Sequence, residues 1–382
     1  MQLTSLNIRG GKTRQSNFEL LRIVAMLLVL VVHADFFSIG IPGTQDIQTH
    51  PVSSAMRFVT QSLALVCVNL FIFISGYFRI RLKKRSILNF LFMVLFWRAI
   101  VIALYMAAPA LWPVEPNFSR FGLIKMIVPG YDDWFVESYI ILMFLSPIIN
   151  SYLDSQSPGH IWRFAIAYCA FQFTASWALE TYPQFIHGYS ALSFIGLYVL
   201  GAAVRAKAPL PMGHAVKCLG SYLALSVFAA IAAMFAIRHV GSTTPAGNIV
   251  DRMFGAYNGV PIVAASLALF LFFKQLSFSS RIINTIAASA FAVYLFHMHP
   301  LVRPVYAYVC QTLFNNYGTW EYLALVSLFI ISVFAVSILV DFIRRWLWSL
   351  LAPKCEMLLT RFSPAQSNRK ESAHSNKPVF KE

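Results

Sequence analysis

The chain has 382 residues, of which 58% are hydrophobic and only 12% charged. That balance is too apolar for a water-soluble domain of this length and reads as a polytopic membrane protein. A formal net charge of +15 does not require nucleic acid, because Lys and Arg retained beside spans on the cytoplasmic side produce the same excess.

In chain order, residues 1–15 form a short basic tail expected in the cytoplasm. Apolar stretches long enough to cross roughly 30 Å of hydrocarbon then run near 18–39, 62–80, 87–107, 134–153, 161–179, 188–204, 218–237, 257–273, 285–302 and 322–348. The expected fold is therefore an all-α, polytopic transmembrane helix bundle of about ten spans. The first run is followed by Asp35 and bulky Phe36 and Phe37 and has no small-residue cleavage site, so it reads as a retained span. With both termini cytoplasmic, Arg9, Lys12, Arg14, the Arg79–Arg85 cluster, Arg205, Lys207, Lys217, Lys274, Arg281, Arg344 and Arg345 fall inside. The membrane domain spans 16–350. Residues 351–382, rich in Ser, Lys, Asn and Pro without periodicity, read as a disordered polar tail. The five cysteines lie scattered with no paired zinc or redox spacing.

Ionisable residues inside spans mark functional sites. Arg22 and His33, both in the first run, are eleven residues apart. On a helix they differ by roughly 20° in direction and about 16 Å in height, so they share one face. His33 suits a general base, because an imidazole titrates near neutral pH. Asp35 would orient that imidazole if the helix ended locally. Ser75-Gly76, among aromatics, marks close helix packing. Arg98 sits mid-span, too deep to snorkel, and needs a carboxylate, carbonyls or an anionic ligand; Glu137 is the nearest carboxylate by type. His297 and His299 precede Pro300, which breaks the helix and frees local carbonyls. No Cys, Asp or Glu cluster completes a metal set around them, so no metal is expected.

Asn17-Phe-Glu-Leu-Leu-Arg22, followed after ten residues by His33, resembles the first-helix signature of the acyltransferase-3 family of integral membrane acyltransferases. Asn69-Leu-Phe-Ile-Phe-Ile-Ser-Gly-Tyr-Phe78, the stretch from Trp134 through Leu145-Ser-Pro-Ile-Ile-Asn150, and Ser289-Ala-Phe-Ala-Val-Tyr-Leu-Phe-His297 with Pro300 continue the likeness. The resemblance implies transfer of an acyl group, commonly acetyl from acetyl-CoA, to hydroxyls of extracytoplasmic carbohydrates at a bacterial inner membrane. It implies His33 and Arg22 as the essential pair. An Arg-x-x-Arg motif common in the third helix is represented here by Arg98 alone, with Leu95 and Val101 at the spaced positions. Donor contacts are thus expected from Arg22 and Arg98, and acceptor contacts from Glu137, His297, His299 and Asp35. The expected partners are acyl-CoA, a surface glycan or its lipid-linked precursor, and membrane lipid. Buried ionisable groups in about ten spans also suit a transporter of a lipid-linked sugar or small acid, but paired broken helices in matching halves are not evident. A structural membrane protein is the third reading.

Overall fold

The computed structural model describes residues 15–114, 120–177, 183–206, 214–241, 244, 247, 250 and 253–361. Among these the protein is all-α, with no strand. The helices are α1 (Ser16–Ala34), α2 (Thr44–Thr49), α3 (Pro51–Ala64), α4 (Cys67–Phe78), α5 (Lys84–Ala107), α6 (Arg120–Lys125), α7 (Trp134–Ser155), α8 (Pro158–Trp177), α9 (Ala191–Ala206), α10 (His214–Val240), α11 (Val260–Gln275), α12 (Arg281–Ala287), α13 (Ala290–His297), α14 (Arg303–Asn316) and α15 (Thr319–Arg361).

Six segments among the described residues are long and apolar enough to cross a membrane: Ser16–Ala34, Pro51–Phe78, Lys84–Ala107, Trp134–Ser155, His214–Val240 and Thr319–Cys355. The second joins α3 and α4 through Leu65 and Val66, whose backbones stay in the right-handed helical region. It therefore begins well before the expected residue 62. The other expected spans exist as helices of different character. α9 and α11 are shorter. The stretch expected as one span at 285–302 is two helices, α12 and α13, interrupted at Ala288 and Ser289 and stopped at His297 before Pro300. α15 runs on through Arg361, so residues 351–361 are helical rather than part of a disordered tail. The remainder of that tail and residues 1–14 lie outside the described residues.

Between helices in a bilayer, lipid removes most of the hydrophobic driving force, so association rests on close packing and on hydrogen bonds. Both are visible here. α1 is central, packing on α3, α4, α11, α12, α13, α14 and α15. α4 and α9 approach through reciprocal glycines: a Cβ on Gly76 would collide with the Tyr198 carbonyl, and one on Gly201 with the Phe73 carbonyl. The small Ser75-Gly76 step thus does what its composition predicts. Polar ties add specificity. Asn17 Nδ2 donates to the Phe273 carbonyl at 2.9 Å. Asn69 Nδ2 donates to the Tyr257 carbonyl at 2.8 Å and to Ser266 Oγ at 3.1 Å.

Candidate active site

The shared face of α1 carries an ionisable group near each end. Near its start Arg22 is buried and paired with Glu19 one turn earlier, Nη1 to Oε1 at 2.6 Å. It lines a small pocket together with Phe71, Ser75, Phe135, Tyr139 and Phe291. A buried cation whose counter-ion comes from its own helix is held rigidly, and the aromatic walls keep it from bulk water. Glu19 lies within the first-helix motif, and the i,i+3 spacing of opposite charges is the sequence signal that marks it as the partner of Arg22.

At the other end His33 is half-buried. Its Nδ1 lies 2.9 Å from Nε2 of His297, and Nδ1 of His297 lies 2.6 Å from the Val293 carbonyl. A carbonyl only accepts, so His297 must carry its proton on Nδ1. Its bare Nε2 then accepts, and His33 must donate from Nδ1. That chain leaves His33 Nε2 with a free lone pair. His297 is 1% exposed and is backed by Tyr306, whose ring centre is 5.5 Å away. The Tyr306 hydroxyl donates to the Leu30 carbonyl of α1 at 2.8 Å, so α14 fixes both histidines relative to each other. Sequence reasoning missed Tyr306, which lies in a helix too polar to register as a span.

Asp35 does not orient His33. The helix does end at Asp35, but the carboxylate turns to Arg57 of α3, Oδ1 to Nε at 2.6 Å. Arg57 also donates to the Gly40 carbonyl and sits over the rings of Phe36 and Phe314. The aspartate therefore clamps the turn that follows α1, while Ser38 Oγ donates to the His33 carbonyl.

Arg98 is not paired with Glu137. It donates to the carbonyls of Met126 at 2.6 Å and Tyr131 at 3.1 Å, and its nearest carboxylate is Asp133 at 3.7 Å. Asp133 is the N-cap of α7, accepting from Val136 N–H at 3.1 Å and from the Tyr294 hydroxyl at 2.7 Å. Burial pushes the Asp133 carboxyl above the usual carboxylate range, against the pull of Tyr294, the Val136 amide and Arg98. Glu137 stands one turn further along on an exposed face, because the cap residue, not the first-turn acid, points back at α5. Arg98 lies with the His33 end of the bundle: Tyr294, the partner of Asp133, has its ring centre 5.9 Å from that of His297.

His299, past the end of α13, is 2% exposed. Its Nδ1 accepts from Leu301 N–H at 3.2 Å, and its Nε2 has no partner among the described residues. An orphaned buried donor costs about 1–3 kcal/mol. His297 and His299 thus point to different partners rather than converging. Among the described residues, no group of three His, Cys, Asp or Glu is placed to hold a metal.

The two ends communicate through packed rings. Phe135, a wall of the Arg22 cavity, has its ring centre 5.1 Å from that of Tyr294, which adjoins His297. A buried cation and an imidazole with a free basic nitrogen thus stand toward opposite ends of one helix, joined by aromatic packing. A family model described as an acyltransferase domain matches residues 15–342. The chain belongs to the acyltransferase-3 family. No curated protein and no solved structure matches it. As an acyltransferase-3 member with an all-α membrane bundle, the protein is a membrane acyltransferase.

Proposed function

We propose that this acyltransferase moves an acetyl group from acetyl-CoA, bound from the cytoplasm, to a hydroxyl of an extracytoplasmic carbohydrate such as a surface polysaccharide or its lipid-linked precursor, at a bacterial inner membrane. The observation that carries the reading is the hydrogen-bond chain Val293–His297–His33, which leaves His33 Nε2 free to accept a proton. His33 removes the proton of the acceptor hydroxyl as its oxygen attacks the thioester carbonyl. Collapse of the tetrahedral adduct then breaks the C–S bond, and the imidazolium returns the proton to the CoA thiolate. General-base catalysis of this kind supplies about 10²–10⁴ in rate.

Arg22 supports donor binding. Its cavity lies about 16 Å below His33 along α1, a separation that an extended pantetheine arm spans. With its phosphates at the basic inner face, the donor carries its acyl end toward His33. Arg98, placed at the His33 end, serves that acyl end rather than the phosphates. Glu137, exposed near the start of α7, faces the side from which the acceptor enters.

Sealed inverted vesicles, with labelled acetyl-CoA outside and a surface-glycan fraction trapped inside, test the direction of transfer. The expected result is label on the enclosed glycan, released by mild alkali as an ester. Intact donor, or label only on glycan supplied outside, would overturn the reading.

A further inference from the structure

His299 is a buried donor without an acceptor among the described residues, two residues beyond His297, the partner of His33. Because Leu301 N–H donates to Nδ1, that nitrogen is bare and the neutral ring carries its proton on Nε2. Buried polar groups in native structures are almost always satisfied, so an orphan calls for a partner. Arg98 is immobilised by the Met126 and Tyr131 carbonyls, and Met126 shares a buried cluster with Leu301, whose N–H holds the His299 ring. A buried N–H without an acceptor among the described residues and an immobilised guanidinium thus belong to adjoining segments.

We propose that His299 Nε2–H, with Arg98 behind it, receives the carbonyl oxygen of the acyl thioester and stabilises the negative charge that develops there during transfer. The inference rests on the acyl-transfer reading and adds to it a second catalytic histidine with a different task. When the acceptor oxygen adds to the thioester carbon, the C=O π pair moves to the oxygen. His299 donates a hydrogen bond to that oxygen and keeps its proton. As the C–S bond breaks, the pair returns to form the ester carbonyl.

The two segments are also tied together at the surface. Asp132, next to the carbonyl that holds Arg98, adopts φ +50°, a conformation unfavourable for an L residue. Its carboxylate pairs with Arg303 at 2.9 Å in an exposed contact, and the Arg303 amide in turn donates to the His299 carbonyl at 2.8 Å. One exposed ion pair thus straps the Arg98 segment to the His299 segment, and exposed pairs of this kind are weak.

Two substitutions separate the proposed role from a structural one. Asn at 299 places an acceptor where Nδ1 stands and retains the Leu301 bond, but has no donor at the Nε2 position. Gln does the reverse. Acyl transfer from acetyl-CoA to the glycan fraction is measured for the full-length wild type, His299→Asn and His299→Gln in the same membranes, with thermal midpoints in detergent. The expected result is a kcat reduced by about 10²–10³ in the Asn variant, with unchanged donor KM and midpoint, and substantial recovery in the Gln variant despite a lower midpoint. Wild-type kcat in the Asn variant, or Gln no better than Asn, would overturn the proposal while leaving the acyl-transfer reading intact. A folded wild type that transfers no acyl group would overturn both.

Discussion

His33 Nδ1 and His297 Nε2 lie 2.9 Å apart, although 264 residues separate them in the chain. Because His297 is committed to the Val293 carbonyl, the contact fixes the tautomer of His33. His297→Ala should therefore lower kcat by about 10–100-fold, the scale typical of groups that orient a functional imidazole, with little change in donor KM. Combined with His33→Ala it should add almost nothing, since the two act as a unit. Initial rates of acyl transfer for the two single variants and the double variant check this.

The Arg22–Glu19 pair makes a separate prediction about stability. Both side chains are 8% exposed, and removing one partner of a buried pair typically costs about 3–5 kcal/mol because the other charge is left uncompensated. Glu19→Ala should lower the thermal midpoint in detergent. A double replacement, Glu19→Gln with Arg22→Met, should restore most of that loss yet remain inactive, because the cavity then has no cation. Recovery of activity in the double variant would show that Arg22 acts only through folding.

The arginine and histidine of α1 were legible in the sequence because the bilayer makes ionisable groups costly and the helical period places 22 and 33 on one face. Their partners were harder to read. Glu19 needed only i,i+3 spacing. His297 was visible as a histidine before a helix break, but its contact with His33 spans the whole fold. Arg98 was visible as a mid-span cation, and its true neighbours, two carbonyls and the α7 cap Asp133, were not. Matching charge types favoured Glu137, while the N-cap geometry turned Asp133 inward instead. The helix end at Asp35 entered the sequence reading only as a condition, and no local pattern announces that Arg57 of another helix takes its carboxylate. Hydropathy found the long spans and misjudged α12 and α13, because a run of apolar residues does not reveal an interruption at Ala288 and Ser289.

The reciprocal glycines between α4 and α9 should tolerate no side chain. A Cβ at Gly76 or Gly201 meets backbone carbonyl rather than a flexible side chain, so relief requires the helices to separate. Gly76→Ala and Gly201→Ala should each cost about 1–3 kcal/mol or more, visible as a lower yield of monodisperse protein and a reduced thermal midpoint. Gly220, with open space around its Cβ position, provides the control: Gly220→Ala should be neutral or slightly stabilising, as expected in a helix interior.

Arg57 should matter more through shape than through charge. It ties Asp35 and the Gly40 carbonyl to α3 and lies between two rings. Lys cannot reproduce this planar, multidentate contact. Arg57→Lys is expected to behave nearly as Arg57→Ala in both thermal midpoint and kcat. Full activity in the Lys variant would show that a positive charge alone holds the turn after α1.

Everything proposed for the site depends on His33 acting as the base of an acyl transfer in this bundle. That role is tested most directly by initial rates of label transfer from acetyl-CoA to a surface-glycan fraction, comparing wild type with His33→Ala at equal amounts of folded protein. The expected result is a loss of about 10²–10⁴ in kcat with a thermal midpoint close to wild type. A folded His33→Ala protein that transfers at the wild-type rate would contradict it.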